Sequence, residues 1–399
     1  MVEQDELERF EADAETFLSA HVPLRKSGAE WSVGSDAVSS FTDATLEEAR
    51  AEVRVAKAWR ALEFDAGFGW ITGPVEWGGR GLDNEFQWSY WKVRSRYEVP
   101  DENPLVLALG MVGPTVLAHG QDALRREMVT RIFRGEIAAC QLFSEPGAGS
   151  DLAAVQTRAV PVEGGWKLNG QKVWTSGAHV SDVGEVLART DPEAPKHRGI
   201  TAFLIDMLSP GVEIRPLRQM TGGAHFNEVF LNDVFVPDDR RLGDVNAGWA
   251  VAVTTLLNER ANLGSGGADS LLRHVRLLIA LARRRGRAGD PVVQQRIAEL
   301  YEQVTASELV GERALAQVRA GREPGPELSV SKLLRSDSMK RLNDLASLLL
   351  GSDLIADSGE WGTFAWAKHL LGTPGAALAG GTDEVQRNII AERVLGLPR

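Results

Sequence analysis

Cysteine and long apolar runs are scarce in this sequence, and each shortage excludes a class of protein. Among its 399 residues there is one cysteine, Cys140, so no disulfide can form within the chain. The segment around it, A-A-C-Q-L-F, is typical of a buried strand, which favours a structural thiol over a catalytic one. No apolar run approaches the ~20 residues of a membrane-spanning helix. The N-terminus, M-V-E-Q-D-E-L, is acidic and unlike a signal or transit peptide, so we expect a cytoplasmic protein.

Positive charge is also in deficit. The chain has 44 Lys and Arg against 55 Asp and Glu, a net charge of −11. This balance argues against nucleic acid or an anionic membrane as the main partner. A phosphorylated ligand remains compatible with it, because local patches of charge decide how such a ligand binds.

The motifs of several enzyme classes are missing as well. No G-x-G-x-x-G follows a strand, and the chain has no P-loop, H-E-x-x-H, C-x-x-C or G-x-S-x-G. The 7 histidines are scattered, without metal-ligand spacing, so we expect no metal site. The sequence therefore lacks the motifs that usually indicate a nucleotide kinase, a zinc hydrolase or a serine esterase.

The hydrophobic pattern changes twice along the chain. Residues 1–137 carry apolar residues at helical spacing, notably over 3–18 and 46–64. Residues 138–246 read as short strands, and helical periodicity returns over 247–399. We predict a mainly α protein with three domains at these bounds: an N-terminal helical domain, a middle β-domain and a C-terminal helical domain.

Within the β-domain, W-K-L-N-G-Q-K-V-W (166–174) has two alternating runs around Asn169-Gly170, which predicts a hairpin there. Residues 229–237 are similar, and Pro237 ends them. Residues 201–207, T-A-F-L-I-D-M, are typical of a buried strand.

The segment Q-L-F-S-E-P-G-A-G-S-D-L (141–152) is the first that carries chemistry. A strand runs into a turn in which Gly147 and Gly149 allow a ligand to approach the backbone closely. Amides exposed in such turns bind anions, and Ser144 and Ser150 add hydroxyls. An ordinary surface turn explains the segment equally well.

Three further segments are candidates. In N-G-Q-K-V-W-T-S-G-A (169–178), Trp174 and Ser176 suit an aromatic cofactor, although a lone Trp usually fills a core or a rim. In L-L-N-E-R-A-N-L-G-S-G-G (256–267), Glu259 and Arg260 stand among apolar and small residues. Adjacent residues do not share a helix face, so they are no ordinary surface pair; the alternative is a solvated helix start.

The fourth segment is A-G-G-T-D-E-V-Q-R-N-I-I (379–390). Its Gly-Gly-Thr turn precedes a helix for which Thr382 is a good N-cap, followed by acids in the first turn. Such a turn is also able to meet a polar or anionic ligand.

Together S-E-P-G-A-G-S-D, G-Q-K-x-W-T-S and G-G-T-x-E-V-Q-R, in this order and spacing, resemble the acyl-CoA dehydrogenase family over nearly the whole chain. The resemblance implies an N-terminal helical domain, a β-barrel-like middle domain and a C-terminal four-helix bundle. It also implies FAD as cofactor, electron-transfer flavoprotein as acceptor, and α,β-dehydrogenation of an acyl-CoA to the trans-2-enoyl-CoA, as in lipid degradation.

Position by position, the resemblance implies the following site. The residues expected around FAD are Gln141, Leu142, Phe143, Ser144, Gly149, Ser150, Trp174, Thr175, Ser176, Arg284, Thr382 and Glu384. The substrate would meet Ser150, Asn258 and Arg260.

The base follows from a substitution. Many family members carry a catalytic Glu directly before the Gly-Thr of the last motif, where this chain has Gly380. Members resembling the isovaleryl and long-chain enzymes instead use a Glu directly before an Arg on the first helix of the bundle, and Glu259-Arg260 matches that pattern. The resemblance therefore implies Glu259 as the base. The small residues that follow it, Ala261 and 264–267, suggest room for a branched or ring-bearing acyl group, or else close helix packing.

Two departures concern the contacts to the FAD of a neighbouring subunit. The family's R-x-x-F-G reads R-R-R-G-R-A-G-D over 283–290, where Arg284 fits but the Phe is gone; a solvated helix end is the alternative for Arg283 and Arg285. A Gln-rich turn is replaced by S-L-L-L-G-S over 347–352. Both a homo-oligomer and a heteromer with a related chain stay open. So do an acyl-CoA oxidase, a non-catalytic partner subunit and, with less support, a flavin monooxygenase.

Overall fold

A computed structural model of the protein describes residues 4–25, 38, 44–264, 271–319, 325–326 and 328–398. They divide into two compact units. The first comprises Met1–Lys26, Ala44–Gln219 and Ala224–Asn258, and the second comprises Ser27–Asp43, Met220–Gly223 and Glu259–Arg399.

Among the described residues, five α-helices precede the strands of the first unit: α1 (Gln4–His21), α2 (Leu46–Asp65), α3 (Asn84–Arg94), α4 (Gly113–His119) and α5 (Asp122–Phe133). The helices expected over 3–18 and 46–64 are confirmed. A capping box begins α2, in which Thr45 and Glu48 bind each other's backbone N–H. Phe10, Trp59 and Tyr90 join α1, α2 and α3 in one apolar core.

Eight strands then form one sheet. They are β1 (Ala139–Leu142), β2 (Arg158–Val162), β3 (Gly165–Ser176), β4 (Val183–Arg189), β5 (Ile200–Asp206), β6 (Val212–Pro216), β7 (Phe226–Pro237) and β8 (Arg241–Leu242). Their order is β6-β7-β3-β2-β4-β5-β8, and β1 pairs with β4 in parallel. The buried strand predicted over 201–207 is confirmed as β5.

Alternation along the strands gives the sheet two buried faces. Cys140, Leu142, Val186 and Phe203 pack on one face with Trp166. Residues of the opposite parity pack with α4 and α5 in a second core, and they include Ala139, Phe143, Leu187 and Leu204. Cys140 is fully buried, as its sequence context predicts.

The hairpin predicted at Asn169-Gly170 is wrong, because β3 runs through this pair without turning. The turn lies earlier, where Gly164 has a φ of 77° between the paired residues Val162 and Gly165. A Cβ at Gly170 would lie 2.4 Å from the Thr157 hydroxyl, so close packing requires the glycine. Residues 229–237 likewise stay within one strand, β7.

Side-chain hydrogen bonds of Asn169 replace the regular backbone pairing of β3 and β7 beside Gly170. The β3–β7 register shifts between Leu168 and Gly170. There Asn169 donates to Asp233 (2.9 Å) and accepts from the Asp233 backbone N–H (2.9 Å). The Asn-Gly pair therefore marks a bulge inside a long strand.

Helices follow the sheet: α6 (Gly248–Gly264), α7 (Leu271–Arg284), α8 (Pro291–Arg319), α9 (Leu328–Leu350), α10 (Ala365–Leu378) and α11 (Asp383–Ile389). In the second unit, α7, α8, α9 and α10 contribute Leu278, Leu300, Leu342 and Trp366 to one buried core. No helix in the described part of the chain is long and apolar enough to cross a membrane.

Candidate active site

The turn after β1 leaves its polar groups accessible. Ser144 is half-buried and Ser150 is exposed, whereas Leu142 and Phe143 are buried in the sheet's two cores. A Cβ at Gly149 or Gly147 would meet no atom within 4 Å. The chain's own packing therefore does not require these glycines, and the open space beside them is available to a ligand.

A buried ion pair ties this turn to β3. The Lys172 ammonium is fully buried and donates to the Glu145 carboxylate at 2.7 Å and to the Phe143 carbonyl at 3.1 Å. Glu145 also accepts the backbone N–H groups of Gln156 (2.6 Å) and Thr157 (3.0 Å). Burial raises the pKa of Glu145 while Lys172 and these donors lower it more, so its net shift is downward. The carboxylate is therefore charged and fully hydrogen-bonded.

Glu145 and Lys172 were not among the residues that we expected in the site. A signal for them does exist in the sequence. Trp166, Leu168 and Lys172 share the parity of the buried face of β3. A charged residue at such a position requires a partner, because an unpaired buried charge is very costly.

Trp174 lies two residues beyond Lys172 in an unusual state. Its indole is 62% exposed, and its φ is 60°, which is strained for a bulky side chain. Phe226 contacts the ring edge-to-face, with centroids 6.0 Å apart. Thr175 is buried, with no partner for its hydroxyl among the described residues, and Ser176 is half-buried. An exposed, strained aromatic next to half-buried hydroxyls is typical of a ligand site.

The last motif is held by α9. Thr382 caps α11 by accepting the Val385 N–H at 3.3 Å, as its sequence position predicts. Asp383 is buried and binds Lys332 (2.7 Å), Ser336 (2.9 Å) and Lys340 (3.0 Å). Glu384, the residue expected at the flavin edge, is exposed and pairs with Arg387 at 3.5 Å.

Glu259 and Asn258 lie on α6, and both are half-buried. The side chains of Arg260 and Ala261, and the small residues after them as far as 267, lie outside what the structure describes. Gly380 has a φ of 66°, so a side chain at the alternative base position would be strained.

The two segments that depart from the family pattern meet in the second unit. Arg284 lies 3.7 Å from Glu360, and Arg285 pairs with Asp353 at 2.6 Å and with Glu360 at 3.5 Å. Arg287 donates to the Leu348 carbonyl at 2.7 Å. Arg284, Arg285 and Arg287 are therefore engaged within the chain, and carboxylates lie beside Arg284 and Arg285.

Apart from Asn258 and Glu259 on α6, the residues of the site fall into three groups. The turn over 141–152 and residues 174–176 come together in the first unit, around the Glu145–Lys172 pair. In the second unit Arg284 lies beside Glu360, Arg287 of the same segment reaches Leu348 in 347–352, and Thr382 and Glu384 stand at the start of α11. Within the described ranges, no group of three or more His, Cys, Asp or Glu side chains is arranged to hold a metal ion.

Comparison with known proteins identifies the family. Residues 140–234 match the acyl-CoA dehydrogenase middle domain, and residues 246–395 match the acyl-CoA dehydrogenase C-terminal domain. The acyl-CoA dehydrogenase IpdE1 from Mycobacterium tuberculosis is 38% identical over 348 residues, which cover 86% of this chain and 88% of IpdE1. This chain belongs to the acyl-CoA dehydrogenase family.

Acyl-CoA dehydrogenases are oxidoreductases, and solved structures with this fold include complexes with FAD. Two structures cover all of this chain at 25% identity: the ChsE4-ChsE5 complex from Mycobacterium tuberculosis (99% of that chain, TM-score 0.75) and a variant of the Tcur3481-Tcur3483 steroid acyl-CoA dehydrogenase (100% of that chain, TM-score 0.76). The match to the acyl-CoA dehydrogenase FadE34 from Mycobacterium tuberculosis, at 43% identity over 75% of this chain, spans only 40% of that protein.

Proposed function

We propose that this acyl-CoA dehydrogenase uses FAD to remove the α-proton and the β-hydride of an acyl-CoA, giving the trans-2-enoyl-CoA and passing the electrons to electron-transfer flavoprotein. The observation that carries the proposal is the surface formed by the turn over 141–152 and by Trp174. A buried, hydrogen-bonded ion pair joins both parts of this surface, and the hydroxyl-bearing residues Ser144, Ser150 and Ser176 on it are not fully buried.

This surface fits a flavin. The exposed Trp174 indole offers an aromatic face, and half-buried Ser144 and Ser176 offer hydroxyls to a heterocycle. The open space beside Gly149 and the exposed Ser150 suit a diphosphate that approaches backbone amides. Gln141, Leu142, Phe143 and Thr175 complete the part of the proposed flavin site that lies in the first unit. Thr382 and Glu384 remain proposed FAD contacts from the family resemblance.

In the mechanism, Glu259 accepts the proton from the α-carbon. Although the thioester acidifies this C–H, the C–H remains a weak acid, so it needs a well-placed base. The reactivity of Glu259 rests on removal from bulk water, since a desolvated carboxylate is a stronger base. Ser150, Asn258 and Arg260 are the proposed substrate contacts, which hold the α-carbon against the base. When bound, FAD supplies the acceptor for the hydride that leaves the β-carbon.

The test replaces the base without changing its shape. Glu259→Gln is expected to retain FAD and acyl-CoA binding but to lower the rate of flavin reduction by ~10²–10⁴-fold, the usual contribution of a general base. Asp244→Asn, an exposed acid-to-amide change outside the site, serves as control. If the Glu259→Gln variant reduces its flavin at the normal rate, the base lies elsewhere.

We also propose that an unlike, related subunit completes the FAD site. Among the structural neighbours is the ChsE4-ChsE5 complex, and the expected adenosine contact Arg284 faces Glu360 in this chain. Two carboxylates beside Arg284 and Arg285 weaken the positive potential that a diphosphate requires. Expression of this chain alone should then yield less than one FAD per chain, restored by a co-expressed related chain. One FAD per chain in a fully active homo-oligomer would refute the heteromer.

The same neighbours favour a partner role as the second candidate function, in which this chain completes a sister chain's site without doing chemistry. Glu259→Gln in the co-expressed complex distinguishes the two, because a non-catalytic chain would tolerate it. Oxygen consumption in the absence of electron-transfer flavoprotein would indicate an oxidase instead.

A ring-bearing acyl group is the proposed substrate class, because one structural neighbour is a steroid acyl-CoA dehydrogenase. Anaerobic mixing with a panel of acyl-CoAs, followed by the loss of flavin absorbance, tests it. Faster reduction by bulky than by short straight-chain acyl-CoAs is expected, and the reverse order would contradict the proposal.

A further inference from the structure

One buried carboxyl of the first unit has no part in the mechanism above. Glu185 lies on β4 and is 0% exposed. Its neighbours in register are Gln141 on β1 and Leu204 on β5. Because in-register residues share a face, Glu185 lies on the face that packs against α4 and α5, among apolar residues such as Leu187.

The carboxyl joins three elements through hydroxyl groups. Glu185 Oε1 lies 2.7 Å from the Thr255 hydroxyl on α6, which lies 3.0 Å from the Thr115 hydroxyl on α4. Each threonine also reaches the carbonyl four residues before it: Thr255 that of Val251 at 3.2 Å, and Thr115 that of Met111 at 2.9 Å. Glu185 Oε2 has no hydrogen-bond partner among the described residues.

A neutral Glu185 brings three protons to the four contacts of this network, whereas an ionised Glu185 leaves only two. The carboxylic acid then donates to Thr255, Thr255 donates to the Val251 carbonyl, and Thr115 donates either to the Met111 carbonyl or to Thr255. An ionised Glu185 would instead bury a charge among apolar side chains with a single donor, which is costly. Burial raises the pKa of Glu185 to about 8, against the opposing effect of the Thr255 hydroxyl.

No charged side chain faces Glu185 from the elements described around it. Gln141, Leu204, Thr115 and Thr255 are uncharged, and the shift in the Glu185 pKa has no contribution from another charge. The nearest titratable group on α4 is His119, one turn after Thr115. His119 Nε2 lies 2.8 Å from the Thr254 hydroxyl. Burial lowers the pKa of His119.

Within the first unit, two adjacent residues of α6 thus bind its neighbouring elements: Thr254 binds His119 on α4, and Thr255 binds Glu185 on β4. Glu259 follows Thr255 by four residues, so the two lie one turn apart on one face of the same helix. We propose that Glu185 is a positioning residue for Glu259, whose neutral carboxyl donates to Thr255 and so sets the rotation and axial position of α6. The role of Glu259 rests on the proposed function, whereas the hydrogen-bonded link between β4 and α6 does not.

Two variants separate the hydrogen bond from the ionisable group. Glu185→Leu removes the donor, whereas Glu185→Gln keeps a donor of the same shape that cannot ionise. Glu193→Gln, an exposed change, is the control. For each variant in the FAD-loaded protein, amide hydrogen exchange over 251–259 and the rate of flavin reduction by acyl-CoA are measured from pH 6 to 9.

Glu185→Leu should accelerate exchange on α6 and slow flavin reduction roughly 10- to 100-fold, the scale expected when a catalytic group is misplaced by about 1 Å. At pH 7, Glu185→Gln should match the wild type in flavin reduction and in amide exchange on α6. Above pH 8 the wild type should reduce its flavin more slowly and exchange faster, because Glu185 ionises, whereas Glu185→Gln should keep both values. A Glu185→Leu enzyme with a normal rate overturns the proposal, even if exchange accelerates, because Glu185 would then be structural only.

If Glu185→Leu does not fold, the comparison of Glu185→Gln with the wild type decides, and identical alkaline profiles overturn the proposal. A wild type that no acyl-CoA reduces would refute the proposed function instead. The exchange of α6 in the two variants would still show whether Glu185 holds the helix.

Discussion

Two buried polar clusters, one in each unit, are built on opposite principles. In the first unit the Glu145–Lys172 pair is charged, and three further groups bind it: the backbone N–H groups of Gln156 and Thr157 and the Phe143 carbonyl. In the second unit His274 and His369 lie in the helical core with ring centroids 5.6 Å apart, next to Trp366. Both are buried, but they carry no partner of opposite charge in the described part of the chain.

Hydrogen bonding in the histidine cluster is incomplete. His369 Nδ1 donates to Asn343 at 2.6 Å, and Asn343 donates to Thr373 at 2.8 Å. His369 Nε2 and both ring nitrogens of His274 have no hydrogen-bond partner among the described residues. Burial lowers the pKa of His274 to about 4 and that of His369 to about 3, with smaller contributions from nearby positive charge. Both rings are therefore neutral near pH 7.

The difference concerns what each cluster can specify. A charged pair with every group bonded defines one geometry, because any displacement breaks several strong bonds at once. Neutral rings in an apolar core act mainly through packing and depend on remaining uncharged. The first cluster is thus suited to hold a binding turn, and the second makes the bundle sensitive to acid.

The largest effect is expected from breaking the charged pair. Lys172→Met leaves the Glu145 carboxylate buried and unpaired, which should lower the free energy of unfolding by about 3–5 kcal/mol and abolish FAD retention. Denaturant unfolding and the flavin absorbance of the purified protein measure both. The double variant Lys172→Met/Glu145→Gln should recover part of the stability.

Lys196→Met is the matched control, because Lys196 pairs with Asp151 at 2.9 Å but is 53% exposed. Its cost should stay below ~1 kcal/mol. Equal losses for Lys172→Met and Lys196→Met would mean that the buried pair has no special role.

A smaller effect is expected from acid. Because the folded-state pKa of His274 lies below its usual 6.5, its contribution to stability is complete above pH 6.5 and is lost as the pH falls towards 4. Between pH 6.5 and 4.5 the loss should be roughly 2–3 kcal/mol for this residue. Unfolding of the wild type and of His274→Phe at pH 7.0 and 4.5 measures it.

His274→Phe should lose less stability on acidification than the wild type, whereas His21→Gln, at the exposed end of α1, should not differ from it. If the stability of His274→Phe falls with pH as steeply as that of the wild type, the cluster is not the acid-sensitive element.

The smallest effect is expected at Arg284, whose side chain is 60% exposed and lies 3.7 Å from Glu360. Arg284→Ala should change the free energy of unfolding by less than ~0.5 kcal/mol. If an unlike subunit supplies the adenosine contacts, Arg284→Ala should also leave the FAD content of the co-expressed complex unchanged. Loss of FAD in Arg284→Ala, but not in Arg283→Ala, would instead assign Arg284 to the cofactor.

Much of this organisation could be predicted from periodicity and caps. The helices at α1 and α2, the buried strand β5 and the N-cap at Thr382 follow from short-range rules that act within a few residues. The motifs over 141–152, 169–178 and 379–390 indicate the family without any coordinate. The Asn169-Gly170 hairpin failed because the same dipeptide also serves a bulge, and only the partner strand distinguishes the two.

The sequence by itself thus determined the order of helices and strands, the family, and the residue types available to bind and to remove a proton. Only the tertiary structure decided which buried polar groups meet. Glu145 and Lys172 are 27 residues apart, and Glu185 and Thr255 are 70 apart. Local propensity has no information about such pairs. The energy of a buried polar group depends on whether a partner reaches it, and the sheet register and helix packing of the whole fold set that.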